Sequence, residues 1–295
     1  MEGGTRVSGA QGEQGAAGER GAHGPDGSRE AWEGAAEVRA GAGRAPSPGT
    51  GLAREYLDAT LALLARVREE QSEVAAAAAG LLADTVIGGG RLFAFGAGHS
   101  ALLAQDLVYR AGGLALVNLL QVPGAAGVEA PATLGSALER VAGLATAVLD
   151  NSPAAEGDLL LLISLSGRNV LPVEMAIRAR EKGLRTIGVT SLAYVAATEP
   201  CHPSGTRLAD HCDLVLDTHV PVGDAQLTAE GIDAPFAPVS TPVTSALLQA
   251  VLAATAGELA RRGADVPLLR SGNVDGGTEW NRRVFEEYGD RIFYR

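Results

Sequence analysis

From Tyr56 onward the chain carries a helical rhythm. Tyr56, Leu57, Leu61, Leu64, Val67, Gln71, Val74, Ala78 and Leu81 recur at steps of three and four, the spacing of one face of an amphipathic helix. Gly88-Gly89-Gly90 closes that helix. Short apolar runs then alternate with helical stretches. The pattern predicts strands over 91–95, 114–118, 158–163, 185–189 and 213–217. It predicts helices over 100–112, 135–150, 170–182 and 204–210, and a long one over 240–262. The strand runs are near-continuous in Leu, Ile and Val, without polar alternation, so both faces of the sheet are covered. Such an alternation is that of an α/β protein, a three-layer α/β/α sandwich around a five-stranded parallel sheet, doubly wound. A short polar tail, 270–295, is expected after the last long helix.

Residues 1–50 do not share this rhythm. Gly, Ala, Glu, Arg, Ser and Pro dominate there, and from Gly9 to Gly27 every third residue is Gly. The triplet run is short and holds one proline, Pro25, whereas a triple helix needs long imino-rich repeats. Too little apolar surface is present to offset chain entropy. The expected organisation is a disordered low-complexity tail over 1–50 and a single domain over 51–295.

Composition narrows the function classes. The 295 residues are 46% hydrophobic, enough to bury a real core. A net charge of −11 argues against a nucleic-acid partner, which would call for a basic footprint. Two cysteines, Cys201 and Cys212, cannot staple a domain of this size and suit a reducing compartment. The N-terminus has no apolar signal region, and the run 74–83 is too short to cross a bilayer. The expectation is a cytoplasmic protein without a membrane partner.

In open parallel sheets, ligands sit beyond the carboxyl ends of the strands. Two such ends stand out: Phe95-Gly96-Ala97-Gly98-His99-Ser100 and Ser164-Leu165-Ser166-Gly167-Arg168-Asn169. Each offers small residues, hydroxyls and free backbone N–H groups at a helix start, which binds an anion with little cationic side-chain help. The first also fits G-x-G-x-x-G/A, but the following strand ends in Leu116-Val117-Asn118-Leu119-Leu120, with no acid to hold a ribose. A dinucleotide is therefore disfavoured. Taken singly, Ser164 or Ser166 would read as a helix cap. The two loops together favour a phosphate.

Gly98-His99-Ser100 and Ser164-Leu165-Ser166-Gly167 resemble the two phosphate loops of sugar isomerase (SIS) domains, which bind phosphosugars on a flavodoxin-like fold. The closer resemblance, over about Gly51 to Arg283, is to a stand-alone bacterial subgroup. Its marks are Phe95 to Ser100, Tyr109-Arg110-Ala111-Gly112-Gly113, Ser166-Gly167-Arg168-Asn169, Pro221-Val222-Gly223-Asp224-Ala225 and Asn273-Val274-Asp275-Gly276-Gly277. The resemblance implies phosphosugar binding by Gly98, Ser100, Ser164, Ser166, Gly167 and Asn169. Where SIS domains in general often have Glu and Thr, this chain has Arg168 and Asn169. Asn169 can still donate to a phosphate oxygen, whereas Arg168 adds a charge the general pattern lacks.

SIS relatives comprise aldose–ketose isomerases, lyases that remove a C3 substituent, and modules that only bind. In the first two a base takes the proton from sugar C2. Glu129 lies in a stretch that looks like the loop supplying a Glu acid/base in the SIS etherase lyases. His99, inside the first loop, and His202, in the expanded Cys201-His202-Pro203-Ser204-Gly205 loop, are the imidazole candidates. Glu70 and Gln71, on the first helix, read as a solvated face. Lys182 is the sole lysine and falls at the polar end of a helix, so covalent lysine chemistry is not expected. Cys201, His202, His211 and Cys212 lack the usual spacing of a zinc site. No metal and no cofactor are expected.

The expected activity is a lyase: water is lost from C3 of an N-acetylglucosamine 6-phosphate after C2 deprotonation by Glu129. An isomerase and a non-catalytic phosphosugar sensor are the alternatives. Because SIS domains generally pair, a homodimer or larger oligomer is expected, with the first helix and the 273–281 segment as candidates to reach a neighbour's site.

Overall fold

The computed structural model describes residues 48–127 and 131–295. Most of the expected tail, and Glu129, lie outside the described residues. The chain opens with α1 (Pro48–Ile87), which ends one residue before the three glycines. Then come β1 (Leu92–Gly96), α2 (His99–Asp106), β2 (Val117–Leu120), α3 (Ala132–Leu138), α4 (Leu144–Asp150) and β3 (Leu159–Ile163). The second half holds α5 (Val170–Glu181), β4 (Arg185–Thr190), α6 (Leu192–Ala197) and β5 (Leu214–Asp217). A hairpin of β6 (Leu227–Ala229) and β7 (Ile232–Phe236) precedes α7 (Ser240–Arg261) and α8 (Gly277–Glu287).

The five main strands are parallel in the order β2-β1-β3-β4-β5, the expected doubly wound α/β sheet. Every residue of β1 and β3 is buried. Their side chains divide between two cores, as period-two alternation requires. Leu92, Ala94, Leu159, Leu161 and Ile163 face α1, α2 and α7, while Phe93, Phe95, Leu160 and Leu162 face α4 and α5. This two-sided burial is what removed polar alternation from the strand sequences. By length and composition α7 could cross a membrane, but Val243, Leu247, Leu248, Val251 and Leu252 are buried in the first core.

Several elements differ from those the sequence predicts. The second strand begins at Val117, because Leu114 bridges to Leu268 and the Ala115 N–H donates to Pro267 O (2.8 Å), away from the sheet. The helix expected over 135–150 is broken into α3 and α4 by Gly143 in the left-handed region (φ 85°). The stretch 204–210 yields only a 3₁₀ turn, Leu208–His211, while α6 and the β6–β7 hairpin were not anticipated. The expected polar tail contains α8, and it buries Val284 and Ile292 in the first core.

Two buried amides close the sheet. At one edge Asn118 donates Nδ2 to Leu92 O (3.2 Å), Leu116 O (3.1 Å) and Arg291 O (2.9 Å), and its Oδ1 accepts from the Phe293 N–H (2.7 Å). Gln71 does the equivalent at the other edge: its Oε1 accepts from the Asp217 N–H at 3.1 Å. Gln71 is thus buried and bonded, contrary to the solvated reading of the Glu70–Gln71 pair, while Glu70 is exposed.

Asn118→Ala leaves buried carbonyls and an N–H unpaired. It should cost about 1–3 kcal/mol, read as a lower midpoint in urea unfolding. An unchanged midpoint would mean that the C-terminal segment is held without it.

Candidate active site

The register of the sheet sets Gly96 opposite Ile163, so the loops after β1 and β3 leave the sheet side by side. Three glycines shape them. A Cβ on Gly96 would lie 2.3 Å from Ser100 O, so only glycine lets α2 start this close to the strand. Gly98 and Gly167 take left-handed φ of 55° and 59°. Neither lines the cavity beyond the loops; both turn the chain so that their neighbours do.

That cavity has a volume of about 590 Å³. Ser100 and His99 reach it from the start of α2, Ser164 and Ser166 from the end of β3, and Asn169 from the residue before α5. The predicted pair of hydroxyl loops therefore faces one common space. The hydroxyls of Ser100, Ser164 and Ser166 have no hydrogen-bond partner within the described residues. Along the second loop, the backbone N–H groups of residues 166–169 are likewise unpaired. Ser164 and Ser166 are not helix caps, for the residue at that position of α5 is Asn169.

Asn169 does not cap α5 with its side chain either. Its Nδ2 donates to Glu139 Oε2 at 2.6 Å, and Glu139 O accepts from the Leu171 N–H at 2.9 Å. Glu139 thus braces the second loop through both main chain and side chain. Gly98 N–H donates to Ala125 O at 3.0 Å, which ties the first loop to the start of the same connection. Described residues on either side of 128–130 are thus tied to the two loops, Ala125 to the first and Glu139 to the second.

The far wall comes from the second half of the chain. Thr241 and Thr244, in the first turns of α7, present hydroxyls without protein partners. Asp224 is fully engaged: Oδ1 accepts from the Val239 and Ser240 N–H groups (3.0 and 2.8 Å), and Oδ2 from Ser240 Oγ (2.6 Å). It caps α7. Tyr194 OH accepts from the Gly223 N–H at 2.7 Å and fixes the turn that carries Asp224. Arg140 and Arg168 supply positive charge to the lining, and Arg168 Nε is buried without a partner.

His202 does not line the cavity. Its Nδ1 meets Ser204 Oγ at 2.7 Å, and a chain of hydroxyls runs on through Thr206 to His211 Nε2. Its loop neighbour Cys201 does line the cavity. Cys212 packs over Gly188 and donates Sγ–H to Leu208 O, and among the described residues no cluster of three or more His, Cys, Asp or Glu could hold a metal ion. Lys182 lies away from the site, with Nζ donating to Leu149 O at 2.9 Å.

Glu139, Thr241 and Thr244 were not singled out in the sequence, because no local spacing ties them to the phosphate loops. Nor was His219. Its ring is nearly buried and meets Asp217 Oδ2 at 2.9 Å and Gln71 Nε2 at 3.2 Å, on a backbone with φ 54°.

Over 245 residues the chain is 67% identical to a UPF0309 protein of Streptomyces avermitilis, covering 83% of this chain and 98% of that one. A UPF0309 protein of Shouchella clausii is 37% identical over 240 residues, covering 81% and 98%. The chain belongs to the UPF0309 family. Within it, residues 55–191, which include both hydroxyl loops, match the SIS domain. Among solved structures it is similar to a phosphoheptose isomerase from Neisseria gonorrhoeae, at 17% identity and TM-score 0.46, over 71% of this chain and 97% of that one. It is also similar to the Vibrio vulnificus NanR protein complexed with ManNAc-6P, at 11% identity and TM-score 0.45, over 88% and 73%. These are distant likenesses, and the fold rests on the strand order and register described above.

The two thiols of this UPF0309 chain differ in kind. Burial pushes the Cys212 thiol up to about 12, whereas Cys201 is exposed at the cavity. Only the thiolate attacks an alkylating agent. Iodoacetamide at pH 8 should therefore label one cysteine per chain, at Cys201 by peptide mass, and equal labelling of Cys212 would contradict its packing.

Proposed function

We propose that the cavity binds a sugar phosphate and that the chain is a phosphosugar enzyme. The observation that carries this reading is the set of three partnerless serine hydroxyls on one cavity, with the unpaired backbone N–H groups of the second loop beside them. These half-exposed groups are open to the cavity and are neutral or positively polarised, which suits a doubly charged oxyanion. Ser100, Ser164, Ser166, Asn169 and the loop backbone shaped by Gly98 and Gly167 would hold the phosphate. Thr241 and Thr244, across the cavity, suit the hydroxyls of the sugar.

The reaction we assign starts from the open-chain sugar. A carboxylate base removes the C2 proton, made acidic by the C1 carbonyl. We give that role to Glu129, on the resemblance of its sequence stretch to the loop that supplies a Glu acid/base in the SIS etherase lyases. Glu139, committed to Asn169, acts as a positioning residue. His99 lines the same cavity and is the candidate general acid. In the lyase reading the C2 carbanion expels hydroxide from C3, which leaves as water once protonated by that acid. Among the described residues no lysine lines the cavity, which suits proton transfer rather than a Schiff base. A homodimer is part of this proposal: Leu57 and Leu61, on the outer half of α1, are 60% and 62% exposed and would be covered by a second copy.

Incubation with N-acetylglucosamine 6-phosphate, followed by mass spectrometry, tests the reaction. Loss of one water supports the lyase, conversion of a C2-hydroxy aldose 6-phosphate offered in parallel into a ketose of unchanged mass supports an isomerase, and binding without turnover leaves a sensor. Glu129→Gln should abolish turnover and preserve phosphosugar affinity; normal turnover would remove Glu129 from the mechanism. Ser166→Ala removes one hydrogen bond to a charged group, worth about 1.5–3 kcal/mol, or roughly ten- to 150-fold in Kd. The free sugar's affinity should be unaffected. In the same titration, the phosphosugar should protect Cys201 from alkylation, and unprotected Cys201 would argue against occupancy of this cavity.

A further inference from the structure

Two of the sequence marks, Tyr109 to Gly113 and Asn273 to Gly277, take no part in the site above. The structure brings them together elsewhere. Gly112 N–H donates to Leu269 O at 2.8 Å, and the Leu269 N–H donates back to Gly113 O at 3.0 Å. Between these segments and α8 lies a second cavity of about 430 Å³, within the range of small-ligand sites. It shares no lining residue with the first. The two are connected through α2, with His99 and Ser100 at one end and Tyr109 just beyond the other.

Three features of this cavity point to a ligand. First, its charge is opposite to that of the chain: Arg270, Arg282 and Arg295 line it, and no Asp or Glu does, in a protein of net charge −11. Second, neither Arg270 nor Arg282 has a carboxylate partner within the described residues. Arg270 is held in place instead, its guanidinium 3.8 Å from the centre of the Trp280 ring and its backbone clamped by both ends of the Asn281 amide. Third, Tyr109 is strained and exposed. It adopts φ 51°, a conformation that costs a non-glycine residue about 1–3 kcal/mol. The residue is 64% exposed, its ring stacked against Phe285 (6.1 Å, 28°) and tilted against Tyr294 (5.8 Å, 50°). Asn273 and Thr278 add polar side chains without protein partners.

We propose that this cavity is a binding site for a nucleotide, its flat base packed on Tyr109 and Phe285 and its phosphate held by Arg270 and Arg282. Guanidinium groups fixed by stacking and free of carboxylates are suited to phosphate oxygens. An exposed aromatic face beside them selects a planar ring over a bare anion. This site stands apart from the phosphosugar reading and does not depend on it.

Isothermal titration of the full chain with AMP, adenosine and inorganic pyrophosphate tests the proposal. AMP should bind more tightly than either fragment. Arg282→Ala should weaken AMP and pyrophosphate at least tenfold. Tyr109→Gly accepts the left-handed backbone, so the fold is kept, and it should weaken AMP at least fivefold while leaving pyrophosphate unchanged. No heat with millimolar AMP, or equal AMP affinity in both variants and the parent, overturns the proposal. So does a change in oligomer mass with Arg282→Glu by light scattering, which would make the basic cavity an interface between copies of the chain.

Discussion

The parallel pairing of β1 with β3 is the constraint on which the rest depends. With Gly96 opposite Ile163, two loops that lie about seventy residues apart in the chain emerge as neighbours. A slip of one residue would turn Phe93 and Phe95 into the wrong core and carry the serines away from each other. Burial of both strands on both faces prevents it, because every shift would expose or clash large side chains. The packing of the interior therefore sets the spacing of the hydroxyls outside it.

The cradle works at short range against an unfavourable background. A chain of net charge −11 repels an approaching dianion at a distance. In the proposed reading, a seated anion would meet N–H and O–H dipoles that need no reorganisation, since Gly98 and Gly167 have already turned the chain. Glu139 looks out of place beside such a group. It borders the cavity, and its Oε2 orients the Asn169 amide by accepting one N–H and leaving the other to donate. Discrimination for a ligand then rests on shape and on hydrogen-bond direction more than on charge.

What the sequence could reveal follows from how local each signal is. β1 and β3 were legible because burial on two faces writes an unbroken apolar run, β4 and β5 from shorter apolar stretches, and the paired serine loops were legible because each sits within six residues of a strand end. Leu114 to Leu116 looked like strand because they are apolar and buried, but they pack on the Leu268 segment, which no local pattern announces. The segment 270–295 looked like a tail because its helix buries only a few side chains, Val284 among them, and is held by the distant Asn118. The β6–β7 hairpin is mostly exposed along β7, so alternation is weak there. In the site, Glu139, Thr241 and Thr244 converge from three separate elements, and only tertiary structure could assemble them.

Asn118 and Gln71 also bear on how the molecule avoids its own kind. A parallel sheet with an open border is a template on which another chain can lay a strand, the route to swapped and fibrillar assemblies. Here one border is occupied by the 291–294 segment, which Asn118 and the Tyr294 hydroxyl fasten to β2 and its approach, and the other by a side-chain amide of α1 that takes an outward-facing N–H of β5. The backbone ladder is thereby closed to a strand from another chain at both borders.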